Sequence, residues 1–111
     1  MQLSLFDGNQ YFVTKTGRIK GIVQDEILLK HVRASLDMTK NPKGWAWEET
    51  ILVEAEKNGV QWTVIHDDET GMVYRVSLPD FRAFGRNIYI RSVPHVCLPL
   101  KYWTIVEKQR A

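Results

Sequence analysis

The spacing of apolar residues changes from about four to two across Gly59, and this change constrains the fold more than any other feature. A spacing of four is typical of one face of a helix, and alternation is typical of a half-buried strand. Gly59 can take the left-handed backbone that ends many helices. The pattern therefore predicts a helix over residues 47–58, followed by two antiparallel strands over residues 60–65 and 72–76.

Two stretches rich in β-forming residues, 10–15 and 18–23, lie on either side of a Thr-Gly turn. Such a pair is typical of a β-hairpin with one apolar face. Gly21 interrupts the second stretch and indicates a bulge or a close approach of another segment. Residues 26–36 fit either a third strand or a helix capped by Asp25. We favour the strand, because a two-stranded hairpin is marginally stable alone.

The remaining segments complete the predicted fold. Residues 37–44 contain Asn-Pro and Gly and predict a loop, whereas residues 79–85 predict a short helix with Pro near its start. Residues 88–90 and 96–106 are β-like, and the prolines around them are typical of edge or bent strands. Together these elements predict an α+β fold, in which a small antiparallel β-sheet has one or two helices packed on one face. We expect residues 10–111 to form this fold as a single domain.

The composition is typical of a globular protein. The chain has 111 residues, of which 44% are apolar and 25% are charged. No apolar run approaches the ~20 residues that span a bilayer, and no secretory signal is visible. The single cysteine, Cys97, lies in an apolar run, which favours a buried, inert thiol over a nucleophile. We therefore predict a protein of the reducing cytoplasm.

The formal net charge of +2 conceals an uneven distribution along the chain. Residues 1–43 have a net charge of +3, residues 44–80 of −6 and residues 81–111 of +5. Clustered basic residues attract phosphate, so two basic ends that meet on one face would form a phosphate-binding patch. The alternative is an ordinary solvated surface. We predict that part of the basic group at 15–33 shares a face with at least one of three arginines: Arg82, Arg86 and Arg91.

Six basic residues are the candidates for contact with DNA or RNA: Lys15, Arg18, Lys20, Lys30, Arg33 and Lys43. Tyr11 and Phe12 are interleaved with them, and Trp45 and Trp47 follow the last of them. Sheets that bind single strands combine stacking aromatics with charges that track the backbone. Aromatic residues on strands are also common in protein cores, so a core role for these four is the alternative.

The N-terminal residues Gln2, Leu3, Ser4, Leu5 and Phe6 spell QLSLF. This pentapeptide resembles the peptide with which many bacterial replication and repair proteins dock on the replicative sliding clamp. The resemblance implies the bacterial sliding clamp as partner, with Leu5 and Phe6 as apolar anchors and Gln2 as a hydrogen-bonding amide. The alternative is that residues 1–9 contain the first strand of the domain, with Leu3 and Leu5 facing a core.

No catalytic pattern is specific enough to predict an enzyme, and neither a cofactor nor a metal site is predicted. A phosphate-cradling loop with Lys and Ser or Thr is absent from the sequence. Asp67, Asp68 and Glu69 could hold a divalent metal in a small nuclease, but a hairpin turn explains them better. The sequence thus predicts a small interaction protein of DNA metabolism that docks on the sliding clamp. A nucleic-acid-binding module is the alternative, and a metal-dependent nuclease is the third.

Overall fold

The computed structural model describes the backbone of residues 2–6 and the whole of residues 8–106. Within this part of the chain there are eleven strands, three α-helices and one short 3-10 helix at Leu100–Tyr102. The strands are β1 (Gln2–Phe6), β2 (Asn9–Val13), β3 (Ile19–Gln24), β4 (Ile27–Val32), β5 (Thr39–Lys40), β6 (Lys43–Glu48), β7 (Trp62–Asp67), β8 (Val73–Ser77), β9 (Arg86–Ile90), β10 (Val93–Pro99) and β11 (Thr104–Val106). The helices are α1 (Ala34–Asp37), α2 (Glu49–Lys57) and α3 (Leu78–Phe84).

The strands form two sheets. The larger sheet has the order β1-β2-β3-β4-β7-β8-β11, and the smaller sheet has the order β5-β6-β10-β9. All pairs are antiparallel except β4 and β7, which are parallel. A parallel pair needs a long crossover connection. Here the crossover contains β5 and β6 of the smaller sheet together with α2, so it links the two sheets.

The predicted α+β fold, with one small antiparallel sheet and helices packed on one face, is wrong. The protein is β-rich, its larger sheet is mixed, and a second sheet is present. The segment 44–48 explains much of the difference, because all five residues are buried and show no strand-like alternation. Trp47 and Glu48 therefore end β6, and the helix predicted from residue 47 begins at Glu49. The predicted loop 37–44 likewise contains β5 and the start of β6.

Several local predictions are confirmed. The hairpin predicted over 10–23 is the antiparallel pair β2 and β3, and residues 26–36 contain strand β4. Strands β7 and β8 pair antiparallel, as predicted for 60–65 and 72–76. Helix α3 matches the helix predicted at 79–85 and is capped by Ser77, whose Oγ accepts a hydrogen bond from the Asp80 amide at 3.2 Å. No helix in the described part of the chain is long and apolar enough to cross a membrane.

Both sheets and the two longer helices share one hydrophobic core. Trp47 lies at its centre, with 1% of its surface exposed. The Trp47 indole Nε1–H donates to Thr63 Oγ1 at 2.7 Å, and the Thr63 hydroxyl donates to the Leu28 carbonyl at 2.9 Å. Gly21 gives the ring room, since a Cβ at that position would lie 2.7 Å from an indole carbon of Trp47. The close approach predicted at Gly21 is thus an approach of Trp47.

We expect Gly21→Ala to lower the free energy of unfolding by about 1–3 kcal/mol, because the added methyl overpacks the core against the Trp47 ring. Urea denaturation measures the change. Gln24→Ala in the same strand is the control, since Gln24 is exposed and its loss should change stability by less than about 0.5 kcal/mol. Equal stability of Gly21→Ala and the parent protein would contradict the close packing of Trp47 on β3.

Candidate functional site

A pocket of about 310 Å³ lies where the two sheets meet. Strands β3 and β4 of the larger sheet form one side, and β6 and the turn between β9 and β10 form the other; α1 and the first turn of α2 complete it. Four of its lining residues are basic: Arg18, Lys20, Lys30 and Arg91. Two are acidic, Asp37 and Glu48. The pocket therefore has a net positive lining.

The convergence of basic residues from the two ends of the chain confirms one prediction. Arg18, Lys20 and Lys30 belong to the basic group at 15–33, and Arg91 belongs to the basic C-terminal third. Arg91 comes from the β9–β10 turn, where its φ of 51° places the backbone in the left-handed region. The sequence predicted that at least one of three arginines shares a face with the basic group, and Arg91 is the one of the three that lines the pocket.

Arg82, another of those three arginines, has a structural role. Its guanidinium donates to Glu49 Oε2 at 2.7 Å and to Glu56 Oε1 at 2.8 Å, and so ties α3 to α2. These hydrogen bonds, first those to Glu56 and then that to Glu49, raise the pKa of Arg82 above its usual value. Arg82 is thus already neutralised by two carboxylates.

Three of the six predicted nucleic-acid contacts do not line the pocket. Lys15 lies in the exposed β2–β3 turn, Arg33 precedes α1, and Lys43 begins β6; all three are exposed. These three residues are surface charges outside the pocket. Of the six, Arg18, Lys20 and Lys30 are the residues that the structure brings together.

Lys30 is one of two partly buried lysines that line the pocket, with Lys20. Its Nζ donates to the Ala46 carbonyl and lies 4.4 Å from the centroid of the Trp47 ring. Burial lowers the pKa of Lys30 to about 8, against the opposing attraction of Asp37 and other anionic groups. A fraction of the Lys30 amine is therefore neutral at physiological pH.

Lys20 and Glu48 form an ion pair at 2.9 Å beside Lys30. Glu48 is 9% exposed, and its Oε2 has no hydrogen-bond partner among the described residues. Because a buried unpaired charge is costly, this carboxylate depends on the Lys20 ammonium. Lys20 therefore already has an anionic partner, whereas Arg18 and Arg91 are exposed at the mouth of the pocket.

Two histidines also line the pocket, and sequence reasoning did not place them there. His31 Nδ1 lies 2.9 Å from Asp68 Oδ1, and its ring stacks on His66 with centroids 4.9 Å apart. His95 Nδ1 lies 2.8 Å from the Val93 carbonyl. Strand register determines the neighbours of both histidines. His31 is opposite His66 in the parallel pair β4 and β7, and His95 is opposite Glu48 in the antiparallel pair β10 and β6.

Three of the four predicted stacking aromatics do not offer free faces. Phe12, Trp45 and Trp47 are 3%, 0% and 1% exposed and belong to the core, as the alternative interpretation stated. Tyr11 is partly buried in β2. Burial of bulky apolar surface explains these positions without a ligand. A stacking platform at Phe12, Trp45 and Trp47 is therefore wrong.

Two of the three carboxylates that were considered as possible metal ligands, Asp67 and Glu69, join the β7–β8 turn to its neighbours. Asp67 accepts hydrogen bonds from the Ala34 amide and from Thr70 Oγ1, and Glu69 accepts two from Ser35. These bonds join α1 to the turn. No three metal-ligating side chains of the described residues stand together as a metal site.

Cys97 is buried in β10 with its Sγ 2.9 Å from Thr39 Oγ1. Burial raises the pKa of this thiol, which keeps it protonated at neutral pH. The prediction that Cys97 is buried is confirmed.

Comparison of this chain with protein-family models, curated proteins and solved structures finds no match. The geometry of the pocket and the N-terminal peptide therefore carry the functional inference. The side chains of the five clamp-peptide residues lie outside the described part of the structure; the backbone of Gln2–Phe6 forms β1, paired antiparallel with β2. The clamp interaction stays a prediction.

The lowered pKa of Lys30 predicts a pH-dependent stability. The unfolded chain has an ordinary lysine pKa near 10.4, so between about pH 8 and 10 it binds more protons than the folded protein. Stability should therefore rise with pH across this window. Relative to Lys30→Met, which lacks the titrating group, the parent protein should gain on the order of 1–3 kcal/mol between pH 7 and 10. Urea denaturation at several pH values measures this difference, and a constant difference would contradict the desolvation of Lys30.

Proposed function

We propose that this protein binds nucleic acid, with backbone phosphates bound at the mouth of the basic pocket. The observation that carries the proposal is the convergence of Arg18, Lys20, Lys30 and Arg91 from distant parts of the chain. Four cations against two carboxylates create a local positive field that attracts polyanions. Neutralising several phosphates with Lys and Arg releases counterions, and this release supplies much of the affinity of nucleic-acid-binding proteins.

The exposed arginines are the best suited to phosphate. A guanidinium can donate two parallel hydrogen bonds to one phosphate, and Arg18 and Arg91 are both exposed at the pocket. Lys20 is paired with Glu48, and Lys30 is bound to the Ala46 carbonyl. Lys15, Arg33 and Lys43 are exposed elsewhere on the surface and would add contacts to a longer strand.

Replacing the two arginines tests this site. Arg18→Gln with Arg91→Gln should weaken binding of single- and double-stranded oligonucleotides by on the order of 10–100-fold at low salt. The salt dependence, measured as the slope of log K against log[salt], should also fall by about one for each arginine–phosphate interaction that is removed. Fluorescence anisotropy at several salt concentrations measures both quantities.

A matched control keeps the change in net charge and moves it away from the pocket. Lys57→Gln with Lys101→Gln removes two exposed cations, one at the end of α2 and one in the 3-10 helix. We expect this variant to retain most of the affinity. Equal losses in both double variants would show that net charge alone drives binding. Binding that does not change with salt, or no binding to any oligonucleotide, would contradict the proposal.

Docking on a bacterial sliding clamp is the second candidate function, and QLSLF is the observation that favours it. Strand β1 stands at the end of the larger sheet, so it pairs with one strand, β2, among the described residues. A clamp-binding peptide docks in extended form and uses its own backbone hydrogen bonds. Docking therefore needs only release of β1 from β2. A protein that carries both activities would act on DNA in the cytoplasm, which suits the unpaired Cys97 thiol.

Competition between β2 and the clamp makes a measurable prediction. A synthetic peptide of residues 1–9 should bind the clamp more tightly than the intact protein does, because only the released fraction of β1 is competent to bind. Leu5→Ala with Phe6→Ala should nearly abolish binding by the intact protein, since each anchor is worth ~2 kcal/mol or more. Isothermal calorimetry measures the affinities, and a peptide with the same residues in reversed order is the control.

A thermal melt of the Leu5→Ala, Phe6→Ala protein separates the two interpretations of the N-terminus. An unchanged melting temperature with abolished clamp binding would support the docking peptide. A lowered melting temperature, together with no clamp binding by the parent protein or by the free peptide, would leave residues 2–6 as a structural strand only, because truncating a core side chain costs ~2–5 kcal/mol.

A further inference from the structure

Lys30 has the surroundings of a nucleophilic amine. It lines the pocket together with Arg18, Lys20 and Arg91, and its Nζ is fixed between the Ala46 carbonyl and the face of the Trp47 indole. A neutral amine can donate one N–H to a carbonyl and keep its lone pair for another atom. Desolvation and neighbouring cations are the two conditions that make a lysine amine reactive toward carbonyl carbons.

The other lysines of the described residues lack this combination. Lys20 is paired with the Glu48 carboxylate at 2.9 Å. The remaining lysines of the described residues are exposed and lie outside the pocket: Lys15, Lys40, Lys43, Lys57 and Lys101. Burial lowers the pKa of Lys30 to about 8, which makes the neutral form accessible near pH 7. Lys30 is therefore the amine that is both held in place and partly unprotonated.

The charges around Lys30 specify the kind of carbonyl compound. Arg18 and Arg91 are exposed and suit a phosphate, and Lys30 lines the same pocket as a partly buried amine that suits a carbonyl carbon. We propose that Lys30 forms a Schiff base with the aldehyde of a phosphorylated sugar. Two sources share this chemistry: an abasic nucleotide in a nucleic-acid strand, and a free sugar phosphate. The first source rests on the proposed nucleic-acid binding, and the second does not.

The reaction balances without an oxidant or reductant. The Lys30 lone pair attacks the aldehyde carbon and forms a C–N bond, while the carbonyl π electrons move to the oxygen. A proton from the new ammonium passes to that oxygen and gives a carbinolamine. A second proton, taken from the solvent, converts this hydroxyl group into a leaving water molecule. The nitrogen lone pair expels the water, which leaves a protonated C=N bond. Asp37 and Glu48 line the same pocket, and either carboxylate can assist the proton transfers.

Reductive trapping tests the proposal. The protein is incubated with sodium borohydride and one of three probes: an oligonucleotide with one abasic site, the same oligonucleotide undamaged, or deoxyribose 5-phosphate. Borohydride reduces an imine to a stable amine, so the adduct can be seen by mass spectrometry and mapped by digestion. We expect an adduct on Lys30 that falls at least 10-fold in Lys30→Arg and persists in the control variant Lys57→Arg, which changes an exposed lysine outside the pocket. Lys30→Met is the second variant, should the arginine disturb the fold.

The outcomes distinguish the sources and the two proposals. Trapping of the abasic strand on Lys30 supports the nucleic-acid source. Trapping of deoxyribose 5-phosphate alone, with no oligonucleotide binding in the anisotropy assay, supports the Schiff base and contradicts the nucleic-acid function. Binding of the undamaged strand without any Lys30 adduct overturns the Schiff base and leaves nucleic-acid binding intact. Adducts that are spread over several lysines and unchanged in Lys30→Arg overturn it as well.

Discussion

The hydrogen bond from Trp47 to Thr63 is the interaction on which the rest of the fold depends. It joins β6 of the smaller sheet to β7 of the larger sheet. The Thr63 hydroxyl in turn donates a hydrogen bond to the Leu28 carbonyl in β4. Strands β4 and β7 are the parallel pair, so one indole N–H anchors the crossover that passes from one sheet to the other. A buried indole without such a partner would carry the cost of an unsatisfied donor. Gly21 completes the arrangement, because only a residue without Cβ leaves room for the ring.

The same strand that anchors the core also builds the pocket. Ala46, Trp47 and Glu48 are consecutive in β6, and they supply a carbonyl to Lys30, a ring under Lys30 and a carboxylate to Lys20. Packing Trp47 into the core therefore fixes the positions of both lysines. The basic pocket is a consequence of how β6 docks on β3 and β4, which is why its lining residues come from segments far apart in sequence.

Local elements were predictable from the sequence, whereas the assembly of the sheets was not. The alternation that predicts β7 and β8, and the Pro and Gly that delimit α3, act over a few residues. The end of β6 was predicted as helix because Trp47 continues the helical spacing of Ile51 and Ala55. At Trp47 the local sequence does not distinguish a buried strand from a buried turn of helix. The hydrogen bond from Trp47 to Thr63 favours the strand, and Thr63 is distant in sequence. Arg18, Lys20 and Arg91 line one pocket because of the same long-range packing. The distribution of charge along the chain therefore predicted that basic residues share a face, but it did not predict which residues line the pocket.

The arrangement of charges also determines where a phosphate can sit if Lys30 is to react. An anion close to Nζ would stabilise the ammonium and raise the pKa of Lys30, which removes the nucleophile. A phosphate drawn to Lys20 would separate that cation from Glu48 and leave a buried carboxylate unpaired, at considerable cost. Arg18 and Arg91 have neither constraint, because they are exposed. The productive complex therefore has its phosphate on the two arginines at the mouth and its carbonyl group inside at Lys30, and the Lys20–Glu48 pair keeps the two regions distinct.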